Sequence, residues 1–245
     1  MSLRNISKRY KLTYYLYLLY RLYYKAKGFK KKKFYGQWKE DLEIVNFFEK
    51  LNIKNGKYLD IGCYHPFNIS NTCLLYKNGW NGINIDLNQT SIDLFNIARK
   101  RDINICACLS DQEKEIEIFF DSPFSPINTT SKKFFKNFTT NDPFQNAYKN
   151  HTKIYKKTRT IDEILEKNKN NINDKIHYLN IDIEGSDYEV LKTINLKKFN
   201  IDLISIETHT LDNIRSESYN HINDYFNNFG YKFYKKVGLT SLYHS

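Results

Sequence analysis

Five short apolar runs recur along the chain: KYLDI (57–61), GINID (82–86), INICACL (103–109), IHYLNIDI (176–183) and IDLISIE (201–207). Each is five to eight residues long, the length of a buried strand rather than of a helix. The stretches between them, at about 70–78, 90–100, 187–195 and 217–229, have helical spacing, as does QWKEDLEIVNFFEKL before the first run. Parallel strands need a crossover long enough to hold a helix. The alternation therefore predicts an α/β fold, a mainly parallel Rossmann-like sheet with helices on both faces.

Two segments interrupt the alternation. KEIEIFFD (114–121) alternates enough to predict an extra strand beside the third one. Residues 122–157 hold three of the four prolines, many Asn, Thr and Ser, and scattered aromatics. A loop this long in a compact domain is either functional or disordered, and we read it as an inserted lid over the substrate side.

Charge is distributed unevenly. Residues 1–40 contain twelve Lys and Arg against Glu40 alone and so carry the whole formal +11; the rest of the chain holds 26 basic and 26 acidic residues. A neutral body argues against a broad nucleic-acid-binding face. The four cysteines (Cys63, Cys73, Cys106, Cys108) form no CxxC pair, which points away from a disulfide framework or zinc ribbon and toward a reducing, cytoplasmic setting.

The basic stretch RYKLTYYLYLLYRLYYKAKGFKKKKF has an apolar part too short and too charged to span a bilayer. It predicts a helical extension over 1–40, followed by one main domain over 41–245. Such a helix either packs on the domain or on a second copy of the chain, or lies peripherally on the anionic inner face of a membrane.

In a doubly wound sheet the ligand sits beyond the carboxyl ends of the strands, so YLDIGCYHPFNIS (58–70) should border the site. A dinucleotide would call for three glycines that let backbone amides approach its pyrophosphate. Here Gly62 is followed by Cys63, Tyr64, His65 and Pro66, side chains standing where phosphates would go. The acidic residue at the end of the second strand is nonetheless present as Asp86, placed to accept hydrogen bonds from ribose hydroxyls. A ribose reader without a phosphate cradle suits a nucleoside ligand such as S-adenosylmethionine. Asp60 would supply negative charge near its sulfonium and amino-acid end.

The ordered motifs YLDIGCYHPFNISNTCLLYKNGWNGINIDLN, RDINICACLSD, TRTIDEIL, LNIDIEGSDYEVLK and LISIETH resemble those of the FkbM-type methyltransferases, over about residues 55–210. The resemblance implies a class I methyltransferase-like fold that uses S-adenosylmethionine, commonly for O-methylation of sugars or other natural-product hydroxyls. It implies cofactor contacts from Asp60, Gly62, Ser70, Asn71, Asp86 and the Ser110-Asp111 turn. Ser70 and Asn71 are also good helix caps. His65 either touches cofactor or substrate or fills the turn.

Acidic residues also end the fourth and fifth runs. Asp182 and Glu184 are two apart, as are Glu207 and His209, so each pair shares a face if the strand geometry persists. His209, Asp182 and Glu184 are candidates for the base that relieves an acceptor hydroxyl of its proton. Asp182, Glu207 and His209 are alternatively a ligand set for Mg²⁺ or Mn²⁺.

The expected activity is O-methylation of a sugar or nucleotide-sugar, in the setting of surface-polysaccharide biosynthesis. The competing readings are an NAD-dependent sugar-modifying enzyme, which the missing glycines disfavour, and a non-catalytic membrane-surface binding domain.

Overall fold

The computed structural model describes residues 11–28, 30–123, 125–140, 151–172, 175–209 and 214–245. Its strands are β1 (Lys57–Ile61), β2 (Asn81–Asp86), β3 (Ile103–Cys106), β4 (Cys108–Leu109), β5 (Glu115–Phe120), β6 (Thr152–Arg159), β7 (Tyr178–Ile181), β8 (Leu203–Glu207), β9 (Lys232–Val237) and β10 (Thr240–His244). Seven of them form one sheet in the order β3-β2-β1-β7-β8-β10-β9. The first five are parallel, and the C-terminal hairpin β9-β10 closes the edge antiparallel to β8. The large, mostly parallel sheet matches the sequence reading; the hairpin is an addition to it.

Side chains alternate across each strand, and each face of this sheet has its own helices. Leu59, Ile61, Ile83, Ile85, Leu179, Ile181, Ile204 and Ile206 face helices Ile161–Lys167, Asp187–Leu191, Leu196–Phe199 and Tyr219–Asn228 in one core. The intervening Tyr58, Tyr178 and Leu203 pack with Leu242 against helices Glu40–Lys50 and Cys73–Lys77 in a second core. Helix starts are fixed locally. Asn88 accepts from the Thr90 amide at the head of Gln89–Ala98, and Thr160 accepts from the Glu163 amide at the head of Ile161–Lys167, each satisfying a donor that a first turn leaves open.

The middle of the chain departs from expectation. The third apolar run breaks at Ala107, whose amide turns to the Asp86 carbonyl, so β3 ends the main sheet while β4 enters another. The extra strand exists as β5, but its partner is β6 rather than β3, and a second sheet forms in the order β4-β6-β5. β6 comes from the end of the stretch read as a lid. The same stretch holds helix Lys132–Thr140, and residues 141–150 lie outside the described residues. Pairing across a long insertion leaves no local signal, which is why the sequence pattern assigned β5 to the wrong neighbour.

At the N-terminus, helix Lys11–Leu19 continues as a wider, π-type turn over Tyr20–Lys25. Leu18 and Leu22 are buried against Tyr35, Phe67, Cys73 and Leu94, and the Tyr14 hydroxyl donates to Asp93 at 2.6 Å. Among the described residues no helix is long and apolar enough to cross a membrane.

Candidate functional site

A row of polar side chains crosses the parallel strands. Asn104, Asn84, Asp60, Asn180 and Ser205 are register partners on β3, β2, β1, β7 and β8. Asn84 donates to Asn104 at 2.8 Å, Asn180 to Asp60 at 2.9 Å, and Ser205 to Asn180 at 2.6 Å. With a side-chain period of two, the same face next presents Asp86, Gly62, Asp182 and Glu207. These are the residues at the carboxyl ends of β2, β1, β7 and β8, where the cleft opens.

The row is held by one buried cation. Arg99, fully buried, donates to the Pro66 carbonyl and the Ser70 hydroxyl at 2.8 Å and to the Thr72 hydroxyl at 2.7 Å. Thr72 donates onward to Asp60 at 2.6 Å. Asp60 is therefore occupied on both oxygens, by Thr72 and Asn180, and faces Arg99 as its counter-charge. It supports the first turn and also lines the more polar part of the cleft.

Ser70 likewise serves Arg99, and Asn71 donates to Asn180 at 3.1 Å. Neither caps the following helix, whose N-cap is Thr72. His65 fills the turn: it is buried, its Nδ1 accepts from the Phe67 amide at 3.1 Å, and burial together with Arg21, Arg99 and Lys32 pushes its pKa down to about 3.

The cleft has two lobes. The first, open to solvent, is lined by Asp86, Tyr64, Ala107, Cys108, Leu109 and Asn128 among others. The second is more polar and holds Gln37, Trp38, Glu40, Asn71, Asn180 and Glu207. Gly62 and Asp182 line both.

Gly62 has φ +81°, and a Cβ there would sit 1.7 Å from the Asp182 carbonyl oxygen. That contact explains why this turn keeps a glycine while abandoning the other two. Asp86 accepts from the Tyr64 amide at 2.8 Å and the Asn88 amide at 2.7 Å. Burial raises its pKa to about 6 against the pull of those two amides.

Four carboxyl groups gather where the lobes meet. Burial first, then Asp187 and Asp60, raise Asp182 to about 7. Burial and the neighbouring carboxylates also push Glu184 well up and raise Glu207 to about 9. Asp187 accepts from the Ile183 and Gly185 amides at 3.0 and 3.1 Å, shaping the turn. That turn corrects one expectation: β7 ends at Ile181 and Glu184 takes the left-handed φ of +57°, so Asp182 and Glu184 do not share an extended strand face. Both line the first lobe all the same.

Two other predicted groups lie outside the lining of the cleft. Ser110 and Asp111 are not among the residues lining the cleft; Asp111 is exposed and bound by Ser110 and Lys114 at 2.9 and 2.8 Å. His209 lies in a bridge with Arg215, its ring edge-on to Tyr219 and its Nδ1 2.9 Å from the Thr208 hydroxyl. The charges acting on it are Lys236 and Arg215 rather than the carboxylates, and burial with those cations lowers its pKa.

The Asp182, Glu207 and His209 ligand set is thus not assembled. Among the described residues no group of three His, Cys, Asp or Glu could hold a metal ion. Missing from the sequence reading were Gln37, Trp38 and Glu40, which precede the first strand but reach the second lobe. The acidic start of helix Glu40–Lys50 was the only trace of them.

A mostly parallel sheet whose cleft opens at the carboxyl ends of its strands, with an acidic residue closing β2, is an α/β architecture consistent with a methyltransferase fold. The family profile of the FkbM methyltransferase domain matches residues 60–233, and the chain belongs to that family. No curated protein and no solved structure matches the chain.

Proposed function

We propose that the chain is an S-adenosylmethionine-dependent O-methyltransferase acting on a hydroxyl of a sugar, nucleotide-linked or part of a surface polysaccharide. The observation that carries this reading is the junction of the two lobes at Gly62 and Asp182, with Asp86 on one side and Trp38 on the other. A carboxylate has about four accepting positions. Two on Asp86 are taken by backbone amides, and two remain for a ribose diol.

The bound cofactor would supply an electrophilic methyl group on a positively charged sulfur. The chain's own contribution begins with charge: Asp86, which ionises at about 6, and Asp182, at about 7, put negative charge on the cleft near neutral pH, so a cationic ligand is favoured and a pyrophosphate opposed. This weighs against the NAD-dependent alternative. In the second lobe the carboxamides of Gln37 and Asn71 match the donors and acceptors of sugar hydroxyls, and the Trp38 ring offers a face for the apolar side of a pyranose.

Asp182 borders both lobes and has a pKa near neutrality, which makes it the base of choice. It takes the proton that the acceptor oxygen loses as the new carbon–oxygen bond forms. Glu207, raised further, stays protonated near pH 7 and donates a hydrogen bond to the acceptor. No step is assigned to a metal, since its ligands are not brought together.

Calorimetric titration with S-adenosylmethionine tests the cofactor. Mass spectrometry of nucleotide-sugars and glycans incubated with the protein then tests the acceptor. Absence of S-adenosylmethionine binding by folded protein refutes the reading.

A further inference from the structure

The N-terminal helix is two-sided. Tyr14, Leu18 and Leu22 lie on the side that meets the domain, at the four-residue spacing of one helix face. The other side is apolar as well, and it is exposed. Leu12, Tyr15, Leu16, Tyr20, Tyr23 and Tyr24 follow a helical repeat of three and four residues; Leu12 is 71 %, Leu16 56 % and Tyr24 72 % accessible. Tyr20 stacks on Tyr24 at 5.2 Å, which makes the stripe continuous past the π-type turn.

Cations surround this stripe. Residues 1–39 contain no acidic side chain, and Lys11, Lys25, Lys27, Lys30, Lys31 and Lys33 are exposed. A helix already docked by one face has no fold-based need for a second apolar face, and lysines at such density repel a second copy of the same segment. An anionic lipid surface satisfies both features. Tyrosine rings and leucines enter the headgroup boundary while lysine heads remain at the phosphates.

We propose that this face is a docking surface for an anionic membrane. Its bound partner is the lipid surface itself, held by the Leu12–Tyr24 stripe and by the lysines from Lys25 to Lys33. The basic segment runs on into Gln37 and Trp38, which line the second lobe, so docking ties the rim of the cleft to the bilayer.

Co-sedimentation of the full chain with vesicles tests this. The vesicles are phosphatidylcholine alone, or phosphatidylcholine with phosphatidylglycerol. Wild type should pellet with the anionic vesicles, bind neutral ones at least tenfold more weakly, and be released as salt is raised. The exposed double variant Leu12→Glu/Leu16→Glu should lose binding at least tenfold while its melting temperature holds, because neither residue contributes to the core. Replacing Lys30, Lys31 and Lys33 with Gln should weaken anionic binding without touching the stripe.

Three results overturn the proposal: no pelleting of wild type with anionic vesicles, equal pelleting of the Leu12→Glu/Leu16→Glu variant, or a wild-type dimer in light scattering that this variant converts to monomer. The last would assign the face to a second copy of the chain.

Discussion

Asp86→Ala removes the group that we assign to the ribose. The carboxylate uses two of its accepting positions on the Tyr64 and Asn88 amides, at 2.8 and 2.7 Å. The two left over face the first lobe. Hydrogen bonds to a charged group contribute about 1.5–3 kcal/mol, so the dissociation constant for S-adenosylmethionine should rise about 10- to 150-fold.

The variant should still fold. The two freed amides border an open cleft where water can replace the lost acceptor, a loss of about 1 kcal/mol. Against that, Asp86 has a pKa raised to about 6 by burial, above the ~3.9 of an unperturbed Asp. A raised acid favours the folded state only while protonated. That contribution is complete below about pH 4 and is lost as pH climbs through about 6, so the ionised carboxylate is itself destabilising at pH 7.5. Calorimetric titration at pH 7.5, with a thermal melt to verify folding, reads the outcome. Wild-type affinity should also fall below about pH 6 as Asp86 protonates, and the variant should lose that dependence. A folded Asp86→Ala protein that binds within about twofold of wild type would refute the placement.

Asp182→Asn should lower kcat by about 10²- to 10⁴-fold while weakening cofactor binding less, and the rise of rate with pH near 7, set by the raised Asp182, should disappear from the pH profile. Gly62→Ala forces a Cβ onto the Asp182 carbonyl at a φ of +81°; chemical denaturation should show a loss of about 3 kcal/mol or more, with cofactor binding abolished. Arg99→Met leaves Asp60 and Asp102 buried without their counter-charge and should cost about 3–5 kcal/mol in urea unfolding. His209→Ala should keep turnover near wild type, and EDTA should leave activity unchanged, because His209 stands among Lys236 and Arg215 rather than with the carboxylates; loss of activity in either experiment would restore the histidine or the metal to the reaction.

The sequence by itself determined the strands of the parallel sheet, because a buried strand writes its length and its period of two directly into the chain. It also placed Asp86, Gly62, Asp182 and Glu207 at strand ends, since each closes an apolar run. Only the tertiary structure decided which of these side chains meet. Asp60 lines the second lobe and is held there by Thr72 and Asn180 with Arg99 as counter-charge, because Arg99 arrives from the end of a helix 39 residues further along the chain. His209 follows Glu207 by two residues yet leaves its company, since the strand gives way to a bridge with Arg215. β5 and β6 are separated by an insertion and pair across it. Trp38 and Glu40 reach the cleft from ahead of the first strand. In each case the deciding contact joins residues far apart in sequence, and local periodicity carries no record of such a contact.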